Sequence, residues 1–137
     1  MVITEIINAV KAGQLDEKLT ELYGADALAS QKVRYEEVLS KAKDLLGDKE
    51  AHIFSAPGRT EVGGNHTDHQ LGRVVAASID LDVIAVVVPT DDSIVTYHAK
   101  GFSVSPVDLH NLEINEAEKN TTESLIRGIA AGFTKKG

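Results

Sequence analysis

A polar, glycine-rich stretch between two apolar runs is the feature that most restricts how this chain can fold. It reads FSAPGRTEVGGNHTDHQLGR, residues 54–73, and holds four glycines, one proline, two arginines and two histidines. So many polar side chains do not suit a core, and so many glycines oppose a helix. The stretch therefore predicts a loop held between two more buried segments, where binding residues commonly lie.

The side chains of this loop suit a ligand that is rich in hydroxyl groups. We expect Pro57 and Gly58 to end the preceding strand and to place Arg59 at its end, where a guanidinium fork suits a phosphate or a carboxylate. The two glycines that follow permit positive φ angles or a close approach to a ligand. An amide, an imidazole, a hydroxyl and a carboxylate come next, and such groups bind sugar hydroxyls. The candidate contacts are Asn65, His66, Thr67 and Asp68.

Two other interpretations of the loop stay open at this point. A glycine-rich loop is often only a surface turn, and an arginine after a strand is often only exposed. Alternatively, histidines and Asp68 could bind a metal ion in a metal-dependent hydrolase. No conventional zinc spacing is present, so we expect no metal. The ligands of that alternative would be His66, Asp68 and His69, with His52 or His98.

Composition narrows the class of protein. The chain has 137 residues and a formal net charge of −7, so a basic nucleic-acid surface is not expected. It has no cysteine, which excludes disulfides and thiolate metal sites. No secretory signal is recognisable, and the longest apolar stretch is too short for a membrane span. We therefore expect a cytoplasmic protein that binds neither nucleic acid nor membranes.

Apolar periodicity predicts four helices, three of them in the first fifty residues. Each of those three is followed by a glycine that can end it. The predicted ranges are 2–12, 15–22, 26–46 and 115–135. The apolar face of the last helix consists of Leu125, Ile126, Ile129, Ala130 and Phe133.

β-Branched residues predict strands between these helices. The predicted ranges are 51–57, 73–89, 93–99 and 102–109. Residues 89–92 are a hairpin candidate, and Asp80 and Asp82 would share one strand face that is most simply solvated. The order of elements predicts an α+β fold, with N-terminal helices, a mainly antiparallel sheet and a covering helix. We expect a helical segment over residues 1–50 and a second, incomplete domain over residues 51–137.

The loop also resembles a known signature. APGRTEVGGNHTDH, residues 56–69, is similar to the sugar-binding signature A-P-G-R-V-N-L-I-G-E-H-T-D-Y of the galactokinases, in the GHMP small-molecule kinase superfamily. Eight positions match without a gap. The resemblance to the family covers the chain from about Tyr23 onward. The matching residues are Ala56, Pro57, Gly58, Arg59, Gly64, His66, Thr67 and Asp68.

The departures from the signature are as informative as the matches. Residues 60–63 read TEVG in place of V-N-L-I. Asn65 stands where the family has a glutamate that accepts hydrogen bonds from the sugar, and His69 replaces a tyrosine. Asn65 keeps an acceptor and loses the charge, which indicates a divergent, bacterial-type member.

The resemblance implies a function for each matched residue. Arg59 would lie beside the transferred phosphoryl group, residues 65–68 would form the substrate segment, and Asp68 would hold ring hydroxyls. The chain would then adopt the fold of the first part of the GHMP kinase N-terminal domain. That domain is similar in fold to a domain of a ribosomal protein. The parent enzyme would transfer the γ-phosphoryl group of ATP to the 1-hydroxyl of galactose or a related hexose, with Mg²⁺.

The family's phosphate-binding loop and its catalytic aspartate are not found in the sequence. We therefore expect an N-terminal fragment of a longer kinase that is inactive alone, binds neither ATP nor Mg²⁺, and self-associates. A galactokinase-like sugar sensor without catalysis is the alternative that the resemblance leaves open.

Overall fold

The computed structural model describes residues 1–137 apart from the side chain of Asp68. The chain divides into two units, Met1–Pro89 and Thr90–Gly137. This division does not coincide with the predicted boundary between residues 50 and 51, because the N-terminal helices and the first two strands share one core.

Three helices begin the first unit, as predicted. Their bounds are α1 Ile3–Lys11, α2 Asp16–Tyr23 and α3 Leu28–Leu46. The glycines Gly24 and Gly47 end α2 and α3 with φ angles of 83° and 80°, which a side chain would strain. A short 3-10 turn, Ala25–Ala27, replaces the first turn that was predicted for the third helix.

A long antiparallel ribbon follows the helices. It consists of β1, His52–Gly63, and β2, Val75–Val87. The prediction that Pro57 ends the first strand is wrong, because Pro57 pairs with Asp82 inside the ribbon. β1 pairs with β2 alone in this sheet, so its other edge is unpaired and a proline can be accommodated there.

A bulge in the ribbon corrects the prediction for the two aspartates of β2. Pro57 pairs with Asp82, but Arg59 pairs with Ser78, so β2 carries extra residues opposite Gly58. Such a bulge breaks the alternation of strand faces. Asp80 is exposed as predicted, whereas the side chain of Asp82 is only 2 % exposed and faces the helices.

The core of the first unit lies between the helices and one face of the ribbon. Its buried members are Ile3, Ile6, Val10, Leu19, Tyr23, Tyr35, Leu39, Ala42 and Ala51. Not every apolar side chain of α3 joins this core. Val33 is 57 % and Leu45 47 % exposed, whereas Tyr35 is buried.

The second unit has little regular structure. Its strands are β3, Ile94–Val95, and β4, Val107–Asp108, and they form a separate two-stranded sheet. The predicted hairpin at residues 89–92 and the single larger sheet are therefore wrong. The last helix, predicted over residues 115–135, is shorter in the structure: α4 spans Thr122–Lys136, and a 3-10 turn, Glu116–Glu118, precedes it.

The apolar face that was expected to cover the sheet is largely exposed. Leu125, Ile129 and Phe133 of α4 are 63 %, 53 % and 76 % exposed. In the described part of the chain, no helix has the length and apolar character to cross a membrane.

Candidate functional site

The candidate site is the connection between the two strands of the ribbon, residues 64–74. Asn65, His66 and Thr67 lie there in consecutive positions. Arg59 lies five residues before the connection, within β1 and not at its end, and its side chain is exposed. The loop therefore brings the candidate sugar-binding residues together, whereas Arg59 lies on the strand.

Close backbone packing shapes the start of the loop. Gly64 has a φ angle of 114°, and a Cβ atom there would lie 2.6 Å from the Arg73 carbonyl oxygen. No side chain fits that space, so the glycine is required by the crossing of the two loop ends. Asn65 and His66 follow with φ angles of 51° and 52°, in the left-handed region.

Thr67 holds the loop together through both its side chain and its backbone. Its Oγ1 donates to the Gly64 carbonyl oxygen at 2.9 Å. Its own carbonyl oxygen accepts from the amides of Gln70 and Gly72 at 3.0 and 2.8 Å. A Cβ atom at Gly72 would lie 2.0 Å from Thr67 Oγ1, so this second glycine is also required. Thr67 therefore has a structural function, whether or not it also contacts a ligand.

The outer side of the loop presents imidazole and amide groups. Asn65, His66 and His69 are exposed, and the rings of the two histidines lie 5.6 Å apart. The amide of His66 donates to Glu61 Oε1 at 2.5 Å, which links the loop to β1. Asp68, the predicted holder of ring hydroxyls, has its side chain outside the described residues. Among the described side chains, no three histidines or carboxylates are grouped to hold a metal ion.

A buried carboxylate lies on the opposite, helix-facing side of the ribbon. Asp82 Oδ2 accepts from the Tyr23 hydroxyl at 2.6 Å and from Ser55 Oγ at 2.5 Å. Arg34 donates to Asp82 Oδ1 at 2.5 Å and to the Asp82 carbonyl oxygen at 2.7 Å. The hydroxyls of Tyr23 and Tyr35 are 2.9 Å apart. This cluster ties α2 and α3 to both strands.

The pKa values in the cluster follow from burial and hydrogen bonding. Burial by itself would raise the pKa of Asp82, but the bonds from Ser55, Tyr23 and Arg34 outweigh it and lower the pKa. Burial and the hydrogen bond with Tyr23 raise the pKa of Tyr35 above the ordinary tyrosine range. Asp82 is therefore ionised and Tyr35 neutral near pH 7.

A cavity of about 640 Å³ lies next to this cluster, between α2 and the ribbon. Its lining includes Tyr23, Ser55, Pro57, Asp80 and Asp82. None of the predicted site residues lines it apart from the Pro57 of the signature. Volume alone does not make this cavity the sugar site.

Sequence reasoning missed the residues that depend on contacts distant in the chain. Tyr23, Arg34 and Ser55 donate hydrogen bonds to Asp82 across 59, 48 and 27 positions, and no local pattern encodes such a meeting. Glu61 was noted only as a departure from the signature. The one signal in the sequence that could have indicated this cluster was a carboxylate within a largely apolar strand, as at Asp82.

Comparison with known proteins shows a similarity over the segment that contains the loop. The galactokinase galactose-binding signature matches residues 43–89, which hold the end of α3 and the whole ribbon with its loop. The chain is similar to the galactokinases over this segment. The predicted resemblance is thereby confirmed, and the matched segment is the part of the first unit that contains the candidate site.

Three bacterial galactokinases illustrate the relationship. The galactokinase of Lactobacillus helveticus is 28 % identical over 103 residues, which cover 74 % of this chain and 26 % of that protein. The galactokinase of Streptomyces coelicolor is 31 % identical over 95 residues, 69 % of this chain and 24 % of that protein. The galactokinase of Streptococcus suis is 31 % identical over 81 residues, which cover 57 % of this chain and 21 % of that protein.

The match thus spans about a quarter of the length of these galactokinases. No solved structure matches the chain. The observed α+β architecture, helices followed by small antiparallel sheets, is compatible with the N-terminal region of a galactokinase.

Proposed function

We propose that this chain provides the galactose-binding segment of an ATP-dependent galactokinase. The observation that carries the proposal is the coincidence of the galactose-binding signature, residues 43–89, with the ribbon and its connecting loop. The parent enzyme would transfer the γ-phosphoryl group of ATP to the 1-hydroxyl of galactose. A non-catalytic sensor finds no specific support, since the curated relatives described above are named galactokinases.

The sugar would lie against the outer side of the loop. Asn65 and His66 are exposed there and have side chains that donate to and accept from hydroxyl groups. Asp68 is proposed as the charged acceptor, and Thr67 as a neighbour whose hydroxyl proton is already donated within the loop. Because Asn65 is neutral, we expect a weaker contact than a glutamate would make at that position.

Arg59 is proposed to stabilise charge on the transferring phosphoryl group. Its guanidinium is exposed on β1 and carries a permanent charge, which suits a group whose charge is spread over several oxygens. In the described part of the chain, no carboxylate cluster fits Mg²⁺. We propose that ATP and Mg²⁺ bind to other parts of a longer kinase.

The chain by itself is proposed to bind galactose weakly and not to phosphorylate it. Phosphoryl transfer requires nucleotide, metal and acceptor to be positioned together, and small misplacements cost orders of magnitude in rate. A single loop offers one wall of a binding site, so its affinity is expected to be low.

Self-association with a second copy is proposed for the same chain. The outer edges of β1 and β2 are unpaired, and Phe54, Leu81 and Val83 are 57 %, 72 % and 67 % exposed on the ribbon. Such edges and apolar faces favour pairing between copies. Light scattering should show a mass that increases with concentration, and a constant monomer mass at high concentration would contradict this.

The test of the function is a titration of the isotope-labelled chain with galactose, followed by NMR. Galactose should shift the amide resonances of residues 64–72 and leave those of α1 unchanged. An Asn65→Ala, His66→Ala double variant should lose the response, and an Asn111→Ala, His110→Ala double variant is the matched control. Equal shifts with a non-carbohydrate polyol, or no shifts in the loop, would contradict galactose binding. An ATP assay run in parallel should show no turnover.

A further inference from the structure

Glu61 is the side chain that links the sugar loop to the strand before it. Its Oε1 accepts the backbone amide hydrogen of His66 at 2.5 Å, five positions further along the chain. Its second oxygen, Oε2, lies 3.8 Å from His66 Nδ1. The contact lies at the surface, although the Glu61 side chain itself is only 28 % exposed.

The backbone conformation of residues 65 and 66 requires a stabilising contact of this kind. Asn65 and His66 are consecutive left-handed residues, with φ angles of 51° and 52°. Residues other than glycine populate that region sparsely, and two in a row persist only where surrounding contacts hold them. The hydrogen bonds of Thr67 close the later part of the loop, between Gly64 and Gly72. The Glu61 contact acts on the earlier part, at the strained pair itself.

The sequence provides an independent observation. The signature form has an asparagine at the position of Glu61 and a glutamate at the position of Asn65. In this chain the amide and the carboxylate have exchanged places, four residues apart. The loop keeps one carboxylate from this pair of positions, and that carboxylate now lies on β1, in contact with the backbone of His66.

We propose that Glu61 is a positioning residue of the loop. It fixes the backbone of residues 65–66 and thereby the direction in which the Asn65 and His66 side chains are presented. This inference rests on the proposed function for its consequence, the binding of galactose. The contact between Glu61 and the His66 amide does not depend on that function.

The first measurement is the hydrogen exchange of the His66 amide, followed by NMR in the full chain. Glu61→Ala should speed this exchange by about tenfold. Glu61→Gln keeps an uncharged acceptor and should restore most of the protection. Glu37→Ala, an exposed glutamate on α3, is the control and should leave the exchange unchanged.

The second measurement is the galactose titration of the same variants. Glu61→Ala should weaken the apparent affinity by about tenfold, and Glu61→Gln should recover most of it. An unchanged His66 amide in both Glu61 variants would overturn the inference. An amide that responds in a chain that never binds galactose would support the Glu61 contact and overturn the proposed function.

Discussion

The two units of this chain differ in what holds them together. In residues 1–89 three helices cover one face of a long ribbon, and nine buried side chains form one cluster. In residues 90–137, Val107 is the one buried hydrophobic side chain among the described residues. Strands of two residues and a helix with an exposed apolar face bury little area, and burial is the main stabilising contribution.

Polar contacts compensate for the small core of the second unit. Arg127 makes a two-pronged pair with Glu118, with both nitrogen–oxygen distances 2.9 Å. Its third nitrogen donates to the backbone carbonyls of Asp108 and Asn111. One arginine thus joins α4, β4 and the following turns. The first unit is thus held together by an apolar core, whereas in the second a single guanidinium connects the helix, the strand and the turns.

The largest expected effect is the loss of a core side chain in the first unit. Leu39 is 1 % exposed, so Leu39→Ala should lower the free energy of unfolding of residues 1–89 by about 2–5 kcal/mol. Leu45→Ala on the same helix removes the same atoms from a side chain that is 47 % exposed. Urea unfolding followed by tyrosine fluorescence should separate the two variants. Equal losses would contradict the assignment of the core.

The buried carboxylate should give the next largest effect. Asp82→Ala leaves the Tyr23 and Ser55 hydroxyls without their charged acceptor and should cost about 3 kcal/mol, with Arg34 contributing less because it is one-third exposed. Asp80→Ala, an exposed neighbour, should change unfolding by less than about 0.5 kcal/mol. Urea unfolding at neutral pH measures both.

The same carboxylate predicts a pH dependence with a definite sign. Because the pKa of Asp82 is lowered in the folded state, its stabilisation is fully present above the ordinary value of 3.8. It is lost as the pH falls from that value through the folded-state pKa. The wild type should therefore lose more stability than Asp82→Asn between pH 5 and pH 2, about the range in which carboxylates titrate. Parallel curves for the two proteins would contradict the lowered pKa.

In the second unit, Arg127→Lys should weaken the contacts that join α4 to β4. Lysine keeps the charge but cannot bind Glu118 with two nitrogens and reach the Asp108 carbonyl as well. Amide exchange in residues 107–127 should speed up, with residues 1–89 unaffected as the internal control. Lys119→Arg, an exchange at an exposed site outside this network, is the matched variant. Unchanged exchange in both variants would show that the arginine is dispensable.

The smallest effect on folding is expected at Arg59. Because its side chain is exposed, Arg59→Lys should change the free energy of unfolding by less than about 0.5 kcal/mol. In a complete kinase that carries this segment, the same change should lower turnover more than galactose affinity, since the planar fork is lost. A fall in affinity alone would reassign Arg59 to sugar positioning.

Local patterns determined much of this protein. Apolar spacing placed α1, α2, α3 and α4, and glycines marked the ends of α2 and α3, because helix periodicity and capping depend on neighbouring residues. The signature at residues 56–69 indicated the similarity to the galactokinases because its side chains are consecutive in the chain. The connection between the strands was likewise predicted from its glycines, but residues 54–63 of the predicted loop belong to β1.

Only the tertiary structure decided which faces are buried and which distant groups meet. A bulge opposite Gly58 turned Asp82 toward Tyr23, Arg34 and Ser55, although alternation alone had grouped it with the solvated Asp80. Pro57 stayed within a strand because β1 has a free edge. Glu61 contacts His66 because two left-handed residues fold the loop back toward β1. The first two outcomes depend on strand register, which arises from pairing between residues far apart in sequence. The third depends on the path of the backbone through the loop.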